Sequence, residues 1–160
     1  MTKSRGNAKT IYVASLVLLT GLIYLAAQTD ALFSIGSTRV KGDVIELSKN
    51  EMLSHFRSLL TIVLCFTGGV LLLKTRTAGW IICHSVLLLL STIAIGIFIS
   101  NVSSLNISGV LLIIVIVLLL SAIFLLNMVG TRRKFMVSFR SYVSVIVLFI
   151  ALALFYFLLQ

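Results

Sequence analysis

Two histidines, two cysteines and four carboxylates are the groups this 160-residue chain offers for metal or acid–base chemistry near neutral pH. His84 stands inside a long apolar stretch, where an imidazole could ligate a haem iron or relay a proton. A bis-histidine haem site needs a second histidine at similar depth, and His55 falls at the other end of its own stretch. The plainer role for His84 is a neutral ring bonded to a neighbouring hydroxyl or carbonyl. Cys65 and Cys83 also lie in apolar stretches, at unequal depth and without a Cys-x-x-Cys spacing. They read as small packing residues rather than a redox pair. Asp30, Asp43, Glu46 and Glu51 share the segment 29–57 with His55 and four bases. Nothing in their spacing demands metal or general acid–base work, and a balanced charge on an exposed segment serves solvation. No cofactor and no metal site is expected, and no catalytic residue.

The elements that carry these residues are membrane spans. The chain is 60% hydrophobic and 11% charged, with a mean hydropathy of +1.21. Soluble domains carry about 25% charged residues and about 45–50% apolar ones. Five apolar stretches, at 11–28, 58–73, 80–100, 107–127 and 142–159, divide the chain and leave no room for a separate soluble domain. The expected fold is an all-α integral membrane protein, a single domain of five transmembrane helices. The first stretch has the basic start and small-residue end of a signal peptide, but its apolar run is longer than such a core and reads as a retained span. The second is short for a bilayer and gains length upstream, where Ser48-Lys-Asn-Glu51 reads as a capping box. A helix from Lys49 to Leu73 would stand above the membrane with Met52, Leu53, Phe56 and Leu60 on one face. In the fourth, the unbroken Val, Leu and Ile run of 110–120 marks a peripheral, lipid-facing helix. The absence of proline favours uninterrupted helices.

Charge placement sets the expected orientation. Nine of the thirteen Lys and Arg residues (Lys3, Arg5, Lys9, Lys74, Arg76, Arg132, Arg133, Lys134 and Arg140) fall in the N-terminal segment and in alternate connections, away from every acidic residue. Arg39, Lys41, Lys49 and Arg57 fall on the other side with all four carboxylates. The positive-inside rule then places the N-terminus inside and the C-terminus outside, in a membrane read as the bacterial inner membrane. Tyr12, Trp80, Phe135, Phe139 and Tyr142 would mark the inner boundary, and Tyr24, Phe98, Tyr156 and Phe157 the outer one. The basic connections would hold anionic headgroups at the inner face, and nucleic acid is not an expected partner. The segment 29–57 becomes an extracytoplasmic loop, with a short β-hairpin expected around the Lys41-Gly42-Asp43 turn.

No Asp, Glu, Lys or Arg lies within the body of a span, which argues against ion coupling, voltage sensing or intramembrane catalysis. Small residues recur every four positions instead: Thr61, Cys65 and Gly69 on the second span, and Thr92, Gly96 and Ser100 on the third. Such stripes let helices approach closely, either within one chain or against another subunit. The expectation is a non-enzymatic protein that acts by binding, as an accessory or assembly subunit of a larger membrane complex. Arg39, Lys41, Asp43, Glu46 and Phe56 are its candidate partner-binding residues. The alternatives are a homo-oligomeric pore or membrane-perturbing effector, lined by the polar residues of spans two and three, and an immunity-type protein acting against a membrane toxin.

Overall fold

In a bilayer the backbone has no water to bond, so long apolar runs without proline satisfy their amides by winding into helices. The computed structural model describes residues 3–38, 49–100 and 107–158, and every element among them is helical. These are α1 (Lys3–Thr38), α2 (Lys49–Leu73), α3 (Thr77–Ser100), α4 (Ile107–Asn127), α5 (Val129–Lys134) and α6 (Phe139–Leu158). All except α5 are long and apolar enough to cross a membrane, which makes this a multi-pass integral membrane protein.

Several boundaries differ from the sequence reading. α1 has 36 residues, about 54 Å of helix against a hydrocarbon core of about 30 Å. Its last turns, 29–38, occupy what was expected to be the start of the outer loop, because no residue there stops the helix. α2 runs from Lys49 to Leu73 as the sequence implies. Ser48 of the capping box and the whole expected hairpin, with Val40, Lys41-Gly42-Asp43 and Val44–Leu47, lie outside the described residues; no strand occurs among the described ones. α3 and α6 each begin three residues earlier than the apolar runs. At α6, Ser138 precedes the helix and its N–H donates to Ser141 Oγ at 3.3 Å, a local cap that apolarity does not reveal. The short helix α5 was not foreseen; its amphipathic turn folds back between two spans.

α3 is the hub. α2, α4 and α6 all pack on it, while α1 packs on α2 and more lightly on α4 and α5. Trp80, Cys83, Ser85, Val86 and Leu87 of α3 are buried. Trp80 and Phe135, near the ends of their helices, are fully buried in the protein. α4 turns Val110, Leu111, Ile114 and Val117 outward, as expected of a peripheral helix, and α6 is as exposed, through Ile146, Val147, Ile150 and Leu154.

Glycines set the closest approaches. A Cβ on Gly69 would sit 2.7 Å from Leu18 of α1, and one on Gly68 would sit 2.9 Å from Ile82 and 3.1 Å from Cys83 Sγ of α3. A Cβ on Gly79 would collide with the backbone of Leu71 and Leu72. The two turns on this side share one construction. After α2, Thr75 N–H donates to Leu72 O and Arg76 N–H to Leu71 O; after α5, Met136 N–H donates to Arg133 O and Val137 N–H to Arg132 O. Each is a Schellman cap whose left-handed residue is not glycine: Thr75 at φ 53° and Met136 at φ 50°. For a β-branched threonine that conformation costs about 1–2 kcal/mol.

Thermal melts in mild detergent check both features. Gly79→Ala and Gly69→Leu should destabilise by about 1–3 kcal/mol through overpacking, while Val115→Leu leaves the melt unchanged. Thr75→Gly should raise stability by up to about 1 kcal/mol by relieving the left-handed strain.

Candidate functional site

Among the described residues, the basic end of the bundle holds a buried cluster with a titratable ring. His84 and Trp80 are one turn apart on α3, and their rings stand 4.8 Å apart. Across from them, α4 ends in Asn127 and α6 begins near Tyr142. Tyr142 Oη donates to Asn127 Oδ1 at 3.2 Å, and Asn127 Nδ2 lies 3.5 Å from His84 Nε2 while donating to Ile123 O at 3.1 Å. Trp80 Nε1 donates to Leu126 O at 3.1 Å, and its ring meets the edge of Tyr142 at 5.3 Å. Ser85 Oγ, on the neighbouring face of α3, lies 3.2 Å from Val145 O of α6 and 2.9 Å from Ile81 O.

Three helices are thus tied by one chain of side-chain hydrogen bonds, at the point where α4 and α6 must both be held against α3. His84 Nδ1 is buried with no hydrogen-bond partner among the described residues. The cluster contains no carboxylate, thiol or second imidazole to act with that ring. Among the described residues no group of three or more His, Cys, Asp or Glu side chains comes together as a metal site would require. What the arrangement can do chemically is orient and hold helices. Interhelical bonds of this type contribute about 0.6–2 kcal/mol each.

The basic residues surround this cluster on the same end. Lys134 Nζ donates to Thr10 Oγ1 at 3.2 Å, Lys9 Nζ lies 3.2 Å from Met128 Sδ, and Thr77 Oγ1 donates to Phe135 O at 2.8 Å. The starts of α1, α3 and α6 and the ends of α2, α4 and α5 are thereby gathered at one face. Arg76, Arg133 and Arg140 are exposed there, beside the exposed side chains of Met136 and Phe139. Cations interleaved with large apolar groups match the headgroup boundary of a bilayer.

The residues singled out in the sequence are distributed as follows. Cys65 and Gly69 are buried and Thr61 is half-buried, its hydroxyl donating to Arg57 O at 3.0 Å. Cys65 packs where a Cβ on Gly21 would reach it at 3.0 Å, and both cysteines are free thiols. Thr92, Gly96 and Ser100 are exposed, and nothing lies within 4 Å of a Cβ placed on Gly96. Among the described residues this second stripe faces outward. Thr92 and Ser100 donate to Leu88 O and Gly96 O of their own helix. Phe56 is exposed at the opposite end, its ring 5.8 Å from that of Phe155, and His55 bonds Gln28 of α1. Arg39, Lys41, Asp43 and Glu46 lie outside the described residues. The partners of His84 escaped the sequence reading. Their signal was present in part: Trp80, Asn127 and Tyr142 all stand at the same boundary of their spans.

The chain matches no protein-family model, no curated protein and no solved structure.

A double-mutant cycle tests the clamp. Asn127→Leu and Tyr142→Phe should each lower stability by about 0.6–2 kcal/mol, and the double variant should cost less than their sum because the two share a bond. Strict additivity in detergent unfolding would separate Tyr142 from the cluster.

Proposed function

We propose that the chain is an accessory or assembly subunit of a larger membrane complex, acting by binding rather than as an enzyme. Its basic end and N-terminus face the cytoplasm of a bacterial inner membrane, and its C-terminus faces out. The observation that carries the binding role is the outward stripe of Thr92, Gly96 and Ser100 on α3. Small residues at a spacing of four are the surface on which membrane helices pack most closely, and among the described residues nothing approaches a Cβ on Gly96. The orientation is supported by the collection of exposed bases at one end, where positive-inside charge belongs.

The same stripe favours a second reading. In a ring of identical chains its hydroxyls would face a common axis and line a pore. The two readings differ in what the purified protein does alone. A subunit leaves liposomes sealed, and Gly96→Leu or the pair Arg39→Glu with Lys41→Glu releases a co-purifying protein while the melting temperature holds. A pore makes liposomes leak, with leakage altered by Thr92→Val or Ser100→Ala. Leakage from the pure protein, together with indifference to the charge reversals, would replace the subunit with the pore.

Orientation has its own test. The native thiols are buried, so introduced cysteines report with little background. Thr75→Cys and Arg133→Cys should resist an impermeant thiol reagent in intact cells, and Ser104→Cys should react. The reverse pattern would invert the topology.

A further inference from the structure

At the basic end, the turn between α5 and α6 borders an open cleft of about 410 Å³. That volume is in the range of small-molecule sites, about 300–1,000 Å³. Val129, Arg132 and Arg133 stand at i, i+3 and i+4 on α5, so one face of that helix brings all three to the cleft. The left-handed Met136 then reverses the chain, and Met136, Phe139 and Tyr142 line the cleft from the α6 side. Arg133, Met136 and Phe139 are exposed, while Arg132 and Tyr142 are half-buried.

We propose that this cleft binds one anionic phospholipid, with the headgroup phosphate on Arg132 and Arg133 and the adjoining hydrocarbon against Met136 and Phe139. The first argument is charge, because no carboxylate side chain of this protein can reach the two arginines. Asp30 lies along α1 beyond Thr10, which bonds Lys134, by about 30 Å of helix. Glu51 is about 33 Å of helix from the Leu73 end of α2. Asp43 and Glu46 are bonded five residues past Thr38 and three before Lys49. Those helix ends stand about 42 Å and about 36 Å from the basic face, and extended chain recovers at most about 18 Å and about 11 Å of that.

The second argument is the pairing of charge with apolar surface. Met136 is 85% exposed and Phe139 83%, two large apolar side chains on the cleft that holds two cations. A soluble phosphate would leave both in water, whereas a phospholipid covers them and meets the cations at once. Arg132 adds a reason for an anion at this spot, since its Nε is buried with no hydrogen-bond partner among the described residues. A cation desolvated in that way gains most from an adjacent oxyanion, and guanidinium groups suit phosphate oxygens. Tyr142 joins the cleft to the clamp, because the same side chain donates to Asn127 Oδ1.

The inference is independent of the assembly role: a chain without protein partners can still hold the lipid, and loss of the lipid leaves the Gly96 stripe intact. The test uses full-length protein in phosphatidylcholine vesicles doped with phosphatidylglycerol, gently extracted and weighed by native mass spectrometry. Wild type should retain one phosphatidylglycerol with roughly tenfold preference over phosphatidylcholine, the factor that corresponds to about 1.4 kcal/mol. Arg132→Gln with Arg133→Gln should abolish the preference. Arg133→Gln alone, at an exposed position that leaves the fold intact, should lower it about fivefold, the factor for one base near a headgroup. Arg76→Gln removes the same charge from the same face outside the cleft and should leave the preference unchanged. Phe139→Ser should weaken retention although both arginines remain. Glycerol phosphate, which carries the charge without the chains, should not displace the lipid at equal concentration. Equal retention of both lipids, equal losses from Arg76→Gln and Arg133→Gln, displacement by glycerol phosphate, or a protein segment held in the cleft in place of lipid would each overturn the proposal.

Discussion

The bundle depends on how closely α2 can turn back against α3. A side chain at Gly79 has no room beside the Leu71–Leu72 backbone, and Gly68 faces Ile82 and Cys83 at less than normal Cβ contact distance. Without water to drive apolar faces together, this close packing is the main source of helix association in lipid. It fixes α3 against α2, and α3 then presents its remaining surfaces to α4 and α6. The strained left-handed Thr75 is held in place because that tight turn leaves it no alternative.

The polar clamp at the basic end follows from this hub. α4 and α6 cover little of each other, and both would be free to slide along α3 on apolar contact alone. Trp80 reaching the Leu126 carbonyl, and the bonds among Tyr142, Asn127 and His84, set their depth and rotation. Directional bonds are well suited to this, since dispersion between Leu, Ile and Val faces is nearly indifferent to register. At the opposite end, among the described residues, no side-chain hydrogen bond joins α2 to α6. There the Phe56 and Phe155 rings meet at 5.8 Å and Arg57 lies over the Tyr156 ring.

The spans themselves were legible in the sequence because hydropathy over about twenty residues is a strong, local signal. α2 could be placed to its first residue because Ser48-Lys-Asn-Glu51 reads as a capping box ahead of the apolar run. The over-long α1 and the early starts of α3 and α6 were not legible: helix continues through polar residues wherever nothing interrupts it, and hydropathy registers only the apolar part. The small-residue stripes were visible as spacing, but not as direction. Cys65 and Gly69 turn inward and Gly96 turns outward, and that difference depends on where three neighbouring helices lie. His84 stood out by type alone, while Asn127 and Tyr142 became its neighbours only through the folding of α4, α5 and α6 onto one face.

The assembly role proposed above is open to direct test. The most direct measurement is the mass of the particle obtained when the native membrane is solubilised gently and the chain is captured at its natural abundance. For an assembly subunit the particle should hold a single copy of this chain, or a fixed small number, with a different membrane protein in constant ratio. A particle containing only this chain, whether one copy or a closed ring, would contradict it.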